Sequence, residues 1–364
     1  MPKTCVHPKS KKTRLRCASD LRAAGITLRA DDAVYQEIET HYDIGVSAHV
    51  VSRIENLNEP EYDPIARQYI PTVQELEIAK DEESDPIGDD VYSPVRGIVH
   101  RYPDRALFKV TNICAVYCRY CFRREMVGAG SDHLSDADFD AAINYIKTQE
   151  QIWEVILTGG DPLVLSAAKL QKIIDALNAI DHVKIIRIHT RIPIADPAKI
   201  DETLLSVLQS SSKAIHMVLH VNHAREISET VSAALFALRQ SNCSLFSQSV
   251  LLKGVNDDAK ILEDLFKALL ILHVKPYYLH HLDRAKGTSH FRVSIKRGQA
   301  IMKDLQGRIS GLCLPHYMLD IPGGHGKIPI NDSYIAALDL GTYRVEDYQG
   351  CTHLYIEQDG GKRA

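Results

Sequence analysis

The chain has 364 residues, 45% of them apolar and 25% charged, with a formal net charge of −4. That length can bury a large core and hold one big domain with an extension, or two domains. The charge gives no case for a nucleic-acid or membrane surface, and no uninterrupted apolar run is long enough to span a bilayer.

Eight cysteines without a secretory signal argue for reduced thiols in a reducing, cytoplasmic compartment. In chain order, a basic start (Lys9, Lys11, Lys12, Arg14, Arg16) reads as a solvated end, because no apolar stretch of a leader follows it. Residues 1–95 carry short amphipathic patterns such as Asp31 to Tyr42, broken by acidic loops like Asp81-Glu82-Glu83-Ser84-Asp85-Pro86, and are expected to form a mainly helical extension. Strand patterns then recur at Leu107–Ile113, Glu154–Thr158, Lys184–His189, Ala214–Val221, Leu245–Leu251 and Val274–His280. Helical patterns separate them, at Asp136–Gln149, Ala167–Ala179 and Glu229–Gln240 for example. Such alternation predicts an α/β fold with a parallel sheet and right-handed crossovers. Six units make a partial (β/α)6 TIM-like barrel over 96–330, followed by a short C-terminal tail over 331–364. Functional groups are expected at the C-terminal ends of the strands.

Cys114, Cys118 and Cys121 lie in one short loop after the first predicted strand. Three thiolates at C-x3-C-x2-C spacing can hold three irons of a 4Fe-4S cluster and leave the fourth iron open to a substrate. A structural zinc site wants a fourth ligand, usually from a second knuckle. The remaining cysteines (Cys5, Cys17, Cys243, Cys313, Cys351) are scattered singly. With the aromatic Tyr120 just before the last cysteine, the loop resembles the signature of the radical S-adenosylmethionine superfamily.

Leu157-Thr158-Gly159-Gly160-Asp161-Pro162 ends the second predicted strand. Paired glycines let a backbone approach a ligand closely and present N–H groups to it. Alone, this pattern is more often a turn than a site. After a cysteine loop, Gly159, Gly160 and Asp161 resemble the superfamily's segment that contacts the methionyl amino group of S-adenosylmethionine.

The third motif is Asp320-Ile321-Pro322-Gly323-Gly324-His325-Gly326-Lys327. A lysine on a glycine-rich loop is a good Schiff-base donor to an aldehyde cofactor, since it must swing away when substrate replaces it. A phosphate-cradling loop would need the Gly-x4-Gly-Lys-Ser/Thr pattern, which is missing here. Taken alone, the bland alternative is a surface turn ending in an exposed lysine.

Together the three motifs resemble the lysine 2,3-aminomutases over most of the chain, from about Asp63 onward. The resemblance implies a 4Fe-4S cluster on Cys114, Cys118 and Cys121, S-adenosylmethionine, and pyridoxal 5′-phosphate joined to Lys327. It implies that Arg101 and Arg105 hold the pyridoxal phosphate, a task that suits multidentate arginines. Gln248, His220 and Tyr120 are implied at the cofactors, while His223 reads as a hydrogen-bonded strand-end residue. Arg123 matches the position that holds the substrate α-carboxylate. Asp283 and Asp320 match two aspartates that bind the distal ammonium of lysine, and paired buried carboxylates do call for a cation between them. The implied activity is an isomerase, an intramolecular aminotransferase that converts L-lysine to β-lysine. It needs a reducing donor such as flavodoxin or ferredoxin and acts as a homo-oligomer, a dimer or tetramer. The clostridial type binds zinc through C-terminal cysteines. Here the tail has only Cys351, and Asp258 stands where that type places another zinc cysteine, which implies that the zinc is absent. Two alternatives stand beside this reading. One is a relative acting on a protein-bound lysine of translation elongation factor P or on another free amino acid. The other is a non-enzymatic iron-sulfur electron carrier, which would have no use for the Gly-Gly-Asp and Lys327 motifs.

Overall fold

The computed structural model describes residues 14–128, 134–339 and 341–357. Lys9, Lys11, Lys12 and Cys5 lie outside them. The centre is one nine-stranded sheet. In chain order its strands are β1 (Ile98–Tyr102), β2 (Arg105–Thr111), β3 (Glu154–Gly159), β4 (Ile185–Thr190), β5 (Ala214–His220), β6 (Ser244–Val250), β7 (Lys275–His280), β8 (His316–Ile321) and β9 (Gly326–Pro329). Each strand lies beside its neighbour in sequence. Strands β2 to β8 run parallel, and the two edge strands β1 and β9 are antiparallel hairpin partners of β2 and β8. Six helices cross between the parallel strands: α1 (Asp136–Thr148), α2 (Ala167–Asn178), α3 (Glu202–Gln209), α4 (Glu229–Gln240), α5 (Ala259–Ile271) and α6 (Ile295–Leu305). This is the partial (β/α)6 barrel expected, with a seventh parallel strand added by β8.

Local sequence explains where the helices start. The side chains of Ser135, Ser166, Asp201, Ser228, Asp258 and Ser294 each accept an N–H from the first turn of α1 to α6 in order. Each such cap is worth about 1 kcal/mol. Asp258 is thus the cap of α5.

Alternation along the strands separates a dry outside from a polar inside. Val155 and Leu157 of β3, and Ile186 and Ile188 of β4, pack outward into the main core beneath the helices. Glu154, Ile156, Arg187 and His189 face the interior instead, where they line a cavity.

The extension before residue 96 contains a helix at Asp32–His41 and several shorter turns, plus a two-residue ribbon pairing Arg14–Leu15 with Val46–Ser47. Its packing answers what the region does: it covers the cysteine loop. Val116 joins a core cluster with Leu21, Ile44, Val46 and Ile65, and Tyr117 joins another with Tyr35 and Ile38. Tyr117 N–H donates to Gly45 O at 2.8 Å, and Arg14 Nη1 donates to Cys114 O at 2.8 Å. Glu75 of the extension binds both Arg119 and Arg124, and all three side chains are fully buried. Burial alone would push the Glu75 carboxyl up, but the two guanidinium groups outweigh it and hold the group below its ordinary value.

The tail is more structured than a simple extension. Its strands Ile335–Asp339, Thr342–Glu346 and Thr352–Ile356 form a separate antiparallel sheet. Among the described residues, no helix is long and apolar enough to cross a membrane.

Candidate active site

Two joined cavities fill the C-terminal mouth and interior of the barrel. The first is lined by Cys114, Cys118 and Cys121 together with Gly159, Gly160, His220, Asp283, Asp320 and Lys327. The second is lined by Arg101, Tyr102, Arg105, Arg187 and Tyr278. Arg123, His189 and Lys327 line both.

The glycine segment lines the first cavity and also has a structural use. Gly160 N–H donates to Thr111 O at 2.5 Å and Asp161 N–H to Ile113 O at 2.9 Å. A Cβ on Gly159 would stand 2.3 Å from Thr111 O, and one on Gly160 would stand 2.2 Å from Ile113 O. The glycines therefore let β3 lie directly against the start of the cysteine loop. The Asp161 carboxylate is also saturated by its own chain. Oδ1 accepts from Leu163 N–H (3.0 Å) and Thr190 Oγ1 (2.7 Å), and Oδ2 from the N–H groups of Arg191 (2.7 Å) and Ile192 (3.2 Å). It ties the end of β3 to the end of β4 rather than offering a free oxygen, and burial pushes its carboxyl up.

Tyr120 and Arg191 form the wall beside Cys118. The Tyr120 hydroxyl accepts from Arg191 Nη1 and from Asn222 Nδ2, the latter at 2.7 Å. Arg191 Nη1 lies 3.5 Å from Cys118 Sγ, while Nη2 donates to Gln68 Oε1 and Glu226 Oε2, each at 2.6 Å. Burial pushes the thiols of Cys114 and Cys121 up, the latter to about 11. Among the described residues, no three His, Cys, Asp or Glu side chains converge on a point for a single ion. Ligands to three separate irons of a cluster need no such convergence.

Deeper in the barrel, Gln248 Nε2 lies 2.7 Å from His220 Nε2 and 3.4 Å from His189 Nδ1, and Gln248 Oε1 lies 3.4 Å from His280 Nε2. Burial drives the imidazoles of His220 and His280 down to about 3, so both are neutral at physiological pH. His223 takes no part: its Nδ1 accepts from Arg225 N–H at the strand end, as the sequence indicated.

The lysine loop needs its glycines for backbone reasons. Gly323, Gly324 and Gly326 have φ of +78°, +84° and +91°, which side-chain-bearing residues rarely adopt. The tight reversal returns the chain as β9, with Lys327 paired opposite Asp320 of β8. Lys327 Nζ binds both Asp320 oxygens, and Lys327 N–H donates to the Tyr102 hydroxyl at 2.8 Å. Burial first, and then the Asp320 charge, push the Asp283 carboxyl up to about 7.

Arg101 and Arg105 flank the β1–β2 turn. Arg105 lies over the Tyr102 ring, 4.1 Å from its centroid, with Nη1 on Asp104 at 2.7 Å. Arg101 Nη2 donates to Ile87 O at 2.6 Å and to Asp89 Oδ1 at 3.3 Å, and the buried Arg101 Nε finds no partner among the described residues. Arg123 gives Nε and Nη2 to Asp89 Oδ2, at 3.1 and 2.6 Å. Asp89, 1% exposed, thus bridges two cations.

Comparison with known proteins supplies the family. The Radical SAM superfamily profile matches residues 108–265. The L-lysine 2,3-aminomutase of Methanococcus maripaludis is 40% identical over 295 residues, covering 81% of this chain and 68% of that protein. The chain belongs to the lysine 2,3-aminomutase family. The L-lysine 2,3-aminomutase of Clostridium subterminale is 37% identical over 300 residues, covering 82% of this chain and 72% of that protein. A glutamate 2,3-aminomutase of Clostridioides difficile is also similar, 35% identical over 326 residues with 89% and 76% covered. Radical S-adenosylmethionine enzymes work through a 4Fe-4S cluster and S-adenosylmethionine.

In this aminomutase-family chain, every site residue expected from sequence lies on the two cavities, except Gln248, which reaches the first through His220. Sequence reading missed Asp89, Tyr102, Arg191 and Asn222. Arg191 had a usable signal, since it follows the C-terminal end of a predicted strand, where barrel function gathers.

Proposed function

We propose that this chain is a radical S-adenosylmethionine and pyridoxal-phosphate-dependent isomerase that moves the α-amino group of L-lysine to the β-carbon. The observation that carries the substrate is the pair Asp283 and Asp320 in the cavity wall beside Lys327. The residues present fit the groups this requires. Cys114, Cys118 and Cys121 would hold the cluster. Lys327 would join the aldehyde of pyridoxal phosphate, and Arg101, whose buried Nε has no partner among the described residues, and Arg105 would hold its anionic groups. When bound, the cluster with S-adenosylmethionine supplies a radical, and pyridoxal phosphate supplies a π-system through which nitrogen can migrate.

The chain's own residues then bind and orient. Arg123 presents its remaining N–H groups to the α-carboxylate, with Asp89 fixing the plane of the guanidinium. Asp283 and Asp320 receive the distal ammonium, so the two ends of the substrate are held and the carbons between them are placed. An anionic wall of this kind rejects a side chain ending in a carboxylate, which separates lysine from glutamate. Neutral His220 and His280 and the apolar cavity wall exclude water from the reacting atoms. A flavodoxin- or ferredoxin-type donor is needed to reduce the cluster.

The test is an anaerobic assay of protein reconstituted with iron, sulfide and pyridoxal phosphate, given S-adenosylmethionine and a strong reductant. L-lysine, L-glutamate, L-arginine and a lysine-bearing elongation factor P are offered in parallel. β-Lysine from lysine alone is the expected result. Cleavage of S-adenosylmethionine with no free β-amino acid would overturn the substrate assignment and leave the radical chemistry. Lys327→Ala should lose nearly all turnover and the pyridoxal absorption of the purified protein; retention of both would overturn the role of Lys327.

A further inference from the structure

We propose that Arg191 raises the reduction potential of the cluster held by Cys114, Cys118 and Cys121, with Glu226 as the counter-charge that limits the effect. This rests on the cluster reading above and adds a tuning role that none of the sequence motifs contains. Arg191 Nη1 points at Cys118 Sγ, 3.5 Å away, from a side chain only 6% exposed. An N–H donated to a cluster sulfur stabilises the reduced, more negative form. A guanidinium keeps its charge at any working pH, and water exclusion leaves that charge weakly screened.

The placement is specific. Arg191 stands at the end of β4, where Asp161 fixes its backbone N–H at 2.7 Å. Its terminal nitrogens are then divided among Cys118, Tyr120, Gln68 and Glu226. Glu226 is itself held by the N–H groups of Asn222 (2.8 Å) and His223 (2.9 Å), so the counter-charge cannot drift away. Gln68 comes from the N-terminal extension, which therefore reaches the cluster through one arginine. The redox step is simple: one electron from the low-potential donor enters the cluster, whose total charge falls by one. Arg191 favours that product and Glu226 opposes it.

The opposite signs make the test. Wild type, Arg191→Gln, Arg191→Lys and Glu226→Gln are reconstituted, assayed for iron and sulfide, and titrated by paramagnetic resonance without S-adenosylmethionine. Arg191→Gln is expected to lower the midpoint by 59 mV or more, a tenfold shift in a one-electron equilibrium. Arg191→Lys should fall between that value and wild type, and Glu226→Gln should raise the midpoint. Loosened packing alone would move Arg191→Gln and Glu226→Gln in the same direction. A common direction, or unchanged midpoints at full cluster content, would overturn the proposal. If Arg191→Gln does not retain the cluster, Glu226→Gln decides alone: a rise supports the role, and no change or a fall overturns it. If wild type assembles no cluster, the cluster reading itself fails, and that outcome is visible in the iron content before any titration.

Discussion

Asp320 and Lys327 stand directly opposite each other across the antiparallel β8–β9 pair, and both carboxylate oxygens bind the lysine ammonium. The chain thus presents to Asp320 the same primary ammonium, on the same four-carbon stem, that the proposed substrate carries. Removing one partner of a buried charged hydrogen bond costs about 2–5 kcal/mol. Asp320→Asn should therefore raise KM for lysine by about 30-fold or more, measured by steady-state kinetics on fully loaded protein. An unchanged KM would remove Asp320 from substrate binding.

Asp283 gives a pH signature. Its folded carboxyl lies at about 7 against an ordinary 3.8, so between these values the folded chain keeps a proton that the unfolded chain has lost. Its contribution to stability is full below about pH 4 and gone above about pH 7. Binding has the opposite slope, because a cationic side chain prefers the ionised carboxylate. KM for lysine should fall as pH rises from 6 to 8, and Asp283→Asn should flatten that profile. Asp320, Lys327, Arg123 and Asp89 share the field at this group, so the variant is what assigns the slope to Asp283.

Asp89 should couple the two ends of the site. Burial alone would push its carboxyl up, but Arg123, with help from Lys109 and Arg101, holds it below its ordinary value. Asp89→Asn should loosen both arginines. We expect weaker pyridoxal phosphate binding by absorbance titration, about tenfold, together with a higher KM for lysine. A lower KM would show instead that Asp89 competes with the substrate carboxylate.

Glu75 carries a stability prediction. Glu75→Gln leaves Arg119 and Arg124 short of a counter-charge in a fully buried site, a loss of about 3–5 kcal/mol. Its lowered carboxyl means the wild-type contribution is present above the ordinary carboxylate range and is lost as pH falls through the depressed value. Urea unfolding at neutral and acidic pH checks both parts. Because these arginines lie in and beside the cysteine loop, iron content should fall in the variant too.

Much of this was legible in the sequence. The six predicted strands and crossover helices carry period-2 and period-3.6 patterns bounded by Ser and Asp caps, and these signals are local. The cysteine spacing and the glycine-rich lysine loop are equally local. What escaped is long-range or short. Strands β1, β8 and β9 are four to six residues long and carry no strong alternation. Asp89 carries no signal in the sequence, and only folding sets it between Arg101 and Arg123. Sequence shows neither that Thr111 O and Ile113 O take the N–H groups of Gly160 and Asp161 nor that the glycines let β3 lie against the cysteine loop.

The open sheet has one further consequence. Its edge strands, β1 and β9, share no backbone ladder, yet Tyr102 at the end of one holds Lys327 at the start of the other. A phenol therefore helps fasten the seam of the barrel, at the residue proposed to do the chemistry. Breathing of that seam would carry Lys327 away from Arg101 and Arg105. The ease with which the β9 amides exchange with solvent then becomes a direct gauge of how often the site is assembled.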